Sequence, residues 1–144
     1  MLIENQLNTI KKQLQHYLNS NFKELNIKSS EMIFLRVLDK VGKTSQTELA
    51  KRLECDKSHI HRITNKLLGK DLIRFIDNSI AKTRNNILEI SEKGKFVINK
   101  VNNSIKIWTE KIVNGISEEE LNIFHSVIEK ISINATKINI EGEL

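Results

Sequence analysis

Apolar residues recur along most of the chain in steps of three and four, the spacing of one helical face. Ile3, Leu7, Ile10, Leu14, Tyr17 and Leu18 form the first stripe, with Lys11, Lys12 and Gln15 off it. Met32, Ile33, Leu35, Val37 and Leu38 predict a second helix, with Ser29 as N-cap and Gly42 as stop. Ser45-Gln46-Thr47-Glu48 is a capping-box pattern, in which the hydroxyl accepts from the third backbone N–H and the carboxylate reaches back. It opens a short helix to about Leu53, with Leu49, Ala50 and Leu53 facing inward. After Glu54-Cys55-Asp56, with Asp56 as N-cap, a further helix is predicted. Its apolar stripe is Ile60, Ile63, Leu67 and Leu68; its polar stripe is Ser58, His59, His61, Arg62, Asn65 and Lys66.

The period then changes. Leu72–Asp77 and Arg84–Ile90 predict two short strands, joined by the loop Asn78–Thr83. Two strands alone are marginal, so they must lean on the helices. Ser91 caps a fifth helix, where Val97, Val101, Ile105, Trp108 and Ile112 recur at helical spacing up to Gly115. Ser117-Glu118-Glu119-Glu120 is a second capping box. It opens a last helix carrying Leu121, Phe124, Ile128 and Ile131, with Val127 and Ile133 nearby.

The expected fold is mainly α with a small β-wing. Two short helices joined by a tight turn, then a strand pair, are the parts of a winged helix-turn-helix. The long amphipathic helices at both ends carry more apolar surface than the small central lobe can cover, and a second copy of the chain is the natural cover. The expected organisation is one domain over 1–144. Residues 29–100 form the winged lobe, and 1–25 and 101–144 form the dimerisation helices.

Composition narrows the class. A chain of 144 residues fits one domain and needs no disulfide or metal staple. It has no proline, and its five glycines are dispersed, so no linker divides it. Cys55 is the lone cysteine and cannot close an internal disulfide. The longest apolar run, Met32 to Leu35, is far too short to span a membrane. Met1 to Ile10 has neither a basic nor an apolar leader segment, so no secretory signal is expected and a reducing cytoplasm is the expected setting.

The formal net charge of +5 is modest, but it is unevenly placed. Residues 36–100 hold 15 Lys+Arg against 8 Asp+Glu, or +7. Residues 1–35 hold four Lys against three Glu, and residues 101–144 four Lys against seven Glu. Positive charge therefore lies in the predicted winged lobe, which points to a polyanionic partner.

Three stretches carry a family resemblance: Ser45-Gln-Thr-Glu-Leu-Ala-Lys-Arg-Leu53, Asp56-Lys-Ser-His-Ile-His-Arg-Ile-Thr-Asn-Lys-Leu67 and Asp71-Leu-Ile73. They resemble the MarR family (multiple-antibiotic-resistance-type regulators), with its T-Q-x-E-L-A helix, its S-x-x-T-R recognition helix and its G-L-I start of the wing. Leu88-Glu-Ile-Ser-Glu-Lys-Gly94 is similar to the L-T-x-x-G that follows the wing. The chain departs from the pattern in three places. Asp77-Asn78-Ser79 stands where the family has Asp-x-Arg, Asp71 where it has glycine, and His61 where it has threonine.

The resemblance implies a homodimeric, sequence-specific DNA-binding regulator, a repressor relieved by a small-molecule effector. Its partner would be double-stranded DNA with a pseudo-palindromic operator. Arg62 and Asn65 are the strongest base-reading candidates, by bidentate contact to guanine and adenine. His61 is a weaker one, and His59 shares the polar stripe. Ser58 and Lys66 suit phosphates. Ser45, Gln46 and Thr47 sit at a helix start, where backbone N–H groups favour a phosphate. Lys82 and Arg84 flank the wing tip, where cations favour a narrow minor groove. Family members can hold small aromatic effectors in a crevice between the lobe and the dimerising helices. Trp108, Tyr17 and Phe34 are candidates to line one here, although packing is the simpler account of all three.

Other chemistry has less support. Cys55, His59 and His61 are close in sequence, but two residues two apart on a helix point to different sides, so no metal site is expected. Cys55 is either a redox-sensitive thiol or an inert turn residue. There is no phosphate loop, GxSxG, HExxH or CxxC, so neither an enzyme nor a bound cofactor is expected. The alternative from another class is a winged-helix protein-interaction module without sequence-specific DNA binding.

Overall fold

The computed structural model describes residues 3–76 and 87–141. Among these, six α-helices are present: α1 Ile3–Asn21, α2 Ser29–Val41, α3 Gln46–Arg52, α4 Lys57–Gly69, α5 Glu92–Ile112 and α6 Glu118–Glu141. A one-turn 3-10 helix, Lys23–Leu25, links the first two. Three short strands, β1 Thr44–Ser45, β2 Ile73–Phe75 and β3 Ile87–Ile90, form an antiparallel sheet in the order β1-β3-β2. No described helix is long and apolar enough to cross a membrane.

The chain forms two compact units, Met1–Trp108 and Thr109–Leu144. The core of the first gathers Leu18 from α1, Phe22 from the turn after it, Met32, Phe34, Leu35 and Leu38 from α2, and Leu49, Ile60 and Leu67 from the two short helices. Leu88 of β3 and Val97, Ile98 and Val101 of α5 complete it. The N-terminal half of the α1 stripe stays outside this core: Ile3, Leu7 and Ile10 are exposed. In the second unit, Leu121, Ile128 and Ile131 of α6 are half-buried, while Ile123, Phe124, Val127, Ile133 and Ile138 are exposed.

Helix ends follow local chemistry, with some corrections. Ser29 is not the N-cap of α2 but its first residue; Lys28 is the cap. The Ser29 amide donates to Asn19 Oδ1 of α1 at 2.9 Å, and the Lys28 amide donates to Glu31 at 2.8 Å. Side chains at and near the helix start supply the acceptors that the Ser29 hydroxyl does not. Ser45 caps α3, accepting from the Glu48 amide at 3.2 Å, but Glu48 does not reach back. Its carboxylate runs forward to Arg52 Nε at 3.1 Å, one helical turn on, where the charge partner is stronger than a backbone amide. The second box is reciprocal: Ser117 N–H donates to Glu120 at 2.8 Å and Glu120 N–H to Ser117 Oγ at 3.2 Å.

Both expected strands are present, over Ile73–Phe75 and Ile87–Ile90 among the described residues, and the sheet has a third. Thr44, buried, pairs with Leu88, and Ser45 pairs with Ile87. Ile73, Arg74 and Phe75 pair with Ile90, Glu89 and Leu88. The loop Asn78–Thr83, with Lys82, lies outside the described residues, as do Asp77 and the expected strand start at Arg84.

Candidate nucleic-acid interface

The α3–α4 turn is made by a Schellman arrangement, in which a left-handed residue turns the chain and two amides close back on the helix. Glu54 takes the left-handed position, at φ 50°. The Glu54 amide donates to Lys51 C=O at 3.2 Å and the Cys55 amide to Ala50 C=O at 3.1 Å. The chain is thereby delivered to Asp56, whose carboxylate accepts from the His59 amide at 2.7 Å and opens α4.

On α4, Ile60, Ile63, Thr64 and Leu67 are buried against the core. That fixes which face looks outward. Ser58, His61, Arg62, Asn65 and Lys66 are all exposed, on one side of one helix. His59 is half-buried, and its Nδ1 lies 3.4 Å from Arg62 Nη2. Because a guanidinium can only donate, that ring nitrogen is the acceptor. Asn65 Nδ2 lies 3.2 Å from His61 Nε2. The two leading base-reading candidates are therefore each buttressed by a histidine. The Ser58 hydroxyl donates to Asp56 at 2.7 Å, so offering it to a phosphate would require that bond to break. The hydrogen bond from Ser58, then that from the His59 amide, holds the Asp56 carboxyl below the usual carboxylate range.

At the start of α3, Thr47 is exposed and Ser45 and Gln46 are half-buried. Ser45 already caps its own helix, which removes one of the amides on offer there. Lys82 and Arg84 fall outside the described residues. Two cations that the sequence did not single out lie on the sheet and just before its first strand. Arg74 Nε is 2.7 Å from Glu89, its cross-strand partner, and Lys43 Nζ is 3.9 Å from the same carboxylate. Strand register was the signal that would have paired Arg74 with Glu89.

Cys55 is half-buried beside the core, where burial, and then the Asp56 carboxylate, push its thiol up from the ordinary value. A raised thiol is poorly nucleophilic, which favours the inert turn residue. Among the described residues no group of three His, Cys, Asp or Glu side chains is placed to hold a metal ion. Of the three aromatics, Phe34 is fully buried in the core, where packing accounts for it. Tyr17 lines a groove of about 390 Å³ between α1 and α5, with Asn21, Phe22, Lys100, Asn103 and Ser104. A second groove of about 360 Å³ lies between α2 and α5, lined by Ile33, Arg36, Val37, Asp39, Lys40 and Asn102.

A helix-turn-helix whose second helix turns a basic and amide-bearing face outward, backed by a three-stranded wing sheet, defines a winged-helix protein. Residues 27–79 match the model of the MarR family. The solved structure of the transcriptional regulator SlyA superposes with a TM-score of 0.84 at 19% identity, covering 95% of this chain and 96% of that one. A MarR transcriptional regulator from Methanosarcina mazei Go1 gives 0.83 at 20% identity, covering 95% and 91%. A mutant MarR from E. coli, complexed with operator DNA, gives 0.76 at 14% identity, covering 91% and 94%. Residues 27–79 thus resemble a MarR-family domain, and the chain has the fold of the MarR-family winged-helix structures.

Proposed function

We propose that this protein is a homodimeric, sequence-specific DNA-binding transcription regulator of the cytoplasm, acting as a repressor relieved by a small-molecule effector. One observation carries the DNA-binding reading: Arg62, Asn65 and Lys66 share the exposed face of a helix whose opposite face is locked into the core. That combination suits entry into a major groove, where Arg62 and Asn65 read base edges and Lys66 holds a phosphate. The wing loop Asn78–Thr83, with Lys82 and Arg84, would follow the adjacent minor groove. Ser45, Gln46, Thr47, Ser58, His59 and His61 complete the candidate surface.

Each compact unit leaves apolar side chains exposed: Ile3, Leu7 and Ile10 on α1, and Ile123, Phe124, Val127, Ile133 and Ile138 on α6. A second copy of the chain is the cover that supports a two-fold reading, with half-sites about one helical turn, roughly 34–36 Å, apart. The effector reading rests on less: the family resemblance and the two open grooves along α5.

The test is a fluorescence titration of the chain with DNA from upstream of its own gene and with a scrambled duplex. The expected result is tight binding to one duplex, weakening steeply as salt rises. Equal affinity for every sequence would overturn the specific-regulator reading. Salt-insensitive or absent binding would favour a protein-interaction module.

A further inference from the structure

The C-terminal end of α4 is tied down by a charged contact that the DNA-reading face does not use. Lys70, the C-cap residue of α4, places Nζ 2.7 Å from Glu31 Oε1 of α2. Glu31 is 2% exposed. Its other oxygen accepts from the Lys28 amide at 2.8 Å, so both ends of the carboxylate are fixed. The Lys70 ammonium also donates to the carbonyl of Asn26, a left-handed residue at φ 51° that ends the 3-10 turn. The Lys70 carbonyl in turn accepts from Lys93 Nζ of α5 at 2.9 Å.

Lys70 is half-buried while Glu31 is buried, and an ion pair so placed is a weak source of net stability, because desolvation of the carboxylate consumes much of the Coulombic gain. Its directional demands are strict, however, and several contacts converge here on one residue at a helix end. A point contact at the end of a helix adds to the packing of Ile60, Ile63 and Leu67 in fixing its tilt. Arg62 and Asn65 lie eight and five residues before Lys70, roughly 12 and 8 Å along the axis. A small rotation about that end moves both side chains relative to anything they touch.

We propose that Lys70, held by Glu31, is a positioning residue for base reading: it sets the tilt of α4 from the junction ahead of α2 and touches no DNA itself. This rests on the DNA-binding reading above. It predicts that breaking the pair costs discrimination between sequences rather than general affinity for DNA.

The experiment starts from a duplex selected by the wild-type full chain from a random pool, paired with a scrambled duplex of the same composition. Lys70→Met and Glu31→Gln are each expected to bind the selected duplex about tenfold more weakly, the cost of roughly one mismatched base pair. Binding to the scrambled duplex and the salt slope should stay unchanged, and Lys70→Arg should recover most of the loss. Lowered folded fraction would weaken both duplexes by one factor, and a direct phosphate contact by Lys70 would weaken both and flatten the salt slope; either result overturns the proposal. An unchanged ratio in folded Glu31→Gln overturns it as well, so it stays falsifiable if Lys70→Met fails to fold. A wild-type chain that enriches no sequence defeats the DNA-binding reading itself, and this one with it, before any variant is compared.

Discussion

The Leu72 amide donates to the Leu67 carbonyl at 3.0 Å, spanning the end of α4. The Asp71 amide makes the companion bond to Leu68 C=O, also at 3.0 Å, with Asp71 in the left-handed region at φ 58°. Leu67 and Leu72 are both buried, giving the apolar contact that accompanies such a cap. The same arrangement ends α3 at Glu54. Both helices of the helix-turn-helix thus end on a left-handed residue that bears a side chain, at a backbone geometry that favours glycine. Glu54→Gly and Asp71→Gly are each expected to stabilise the protein by about 0.5–1 kcal/mol, the relieved strain exceeding the added unfolded-state entropy. Urea unfolding measures this; a lowered midpoint in both variants would refute it.

Gly94 carries the opposite sign. A Cβ at this position would overlap the carbonyl oxygen of Leu72 and lie 2.7 Å from Ile90 Cγ1. The Leu72 carbonyl is held in place, accepting from the Ser91 amide at 3.1 Å, so it cannot yield cheaply. Gly94→Ala is expected to cost at least about 1–3 kcal/mol through overpacking, although alanine is the better helix former. A midpoint within error of wild type would show that α5 shifts away freely.

The helices were legible in the sequence because their cores repeat at three and four residues and because Ser45, Asp56, Ser91 and Ser117 advertise their starts. The outward face of α4 followed from the same period. What could not be read were contacts without a local signature. Strand β1 is two residues long and exists only because Thr44 meets Leu88, far away in sequence. Glu31 reads as an ordinary first-turn carboxylate until folding brings Lys70 to it from 39 residues away. The Asp71 position was legible only as a missing family glycine; the structure supplies the reason, a positive φ. Lys82 and Arg84 remain expectations from sequence.

The Asp56 cap should make α4 sensitive to acid. The Ser58 hydroxyl, the His59 amide and the nearby Arg62 guanidinium lower its pKa in the folded chain. A depressed folded value means the stabilisation is complete above the unfolded value of about 3.9 and is lost as pH falls through the folded one. Asp56→Ala should therefore melt at a lower temperature than wild type near neutral pH, with the gap closing below about pH 4. A gap that stays constant into strong acid would exclude the charged cap as its cause.

Cys55 should be a slow nucleophile. Its thiol is raised by burial and by Asp56, so less thiolate is present near neutral pH than in an unfolded chain. Alkylation by iodoacetamide at mildly alkaline pH is expected to be slower in the native protein than in urea. Asp56→Asn should speed it by removing the neighbouring negative charge. Faster reaction in the native state would instead mark Cys55 as an activated, sensor-type thiol.

Arg62 and Lys66 are one turn apart on the same exposed face, yet their substitutions should differ in kind. Arg62 presents a planar fork with five donors, and only one N–H is directed to His59. Such a fork can satisfy two acceptors on a guanine edge, so Arg62→Ala should cost about 1–3 kcal/mol on the selected duplex and relax preference at one base position. Lys66 ends in a compact ammonium that suits a phosphate at any sequence. Lys66→Ala should weaken all duplexes to a similar degree and lower the slope of log affinity against log salt by about one. Titration of both variants against selected and scrambled duplexes at several salt concentrations separates the two roles. If Arg62→Ala lowers the salt slope without relaxing base preference, Arg62 is a phosphate contact, and base reading passes to Asn65 and His61.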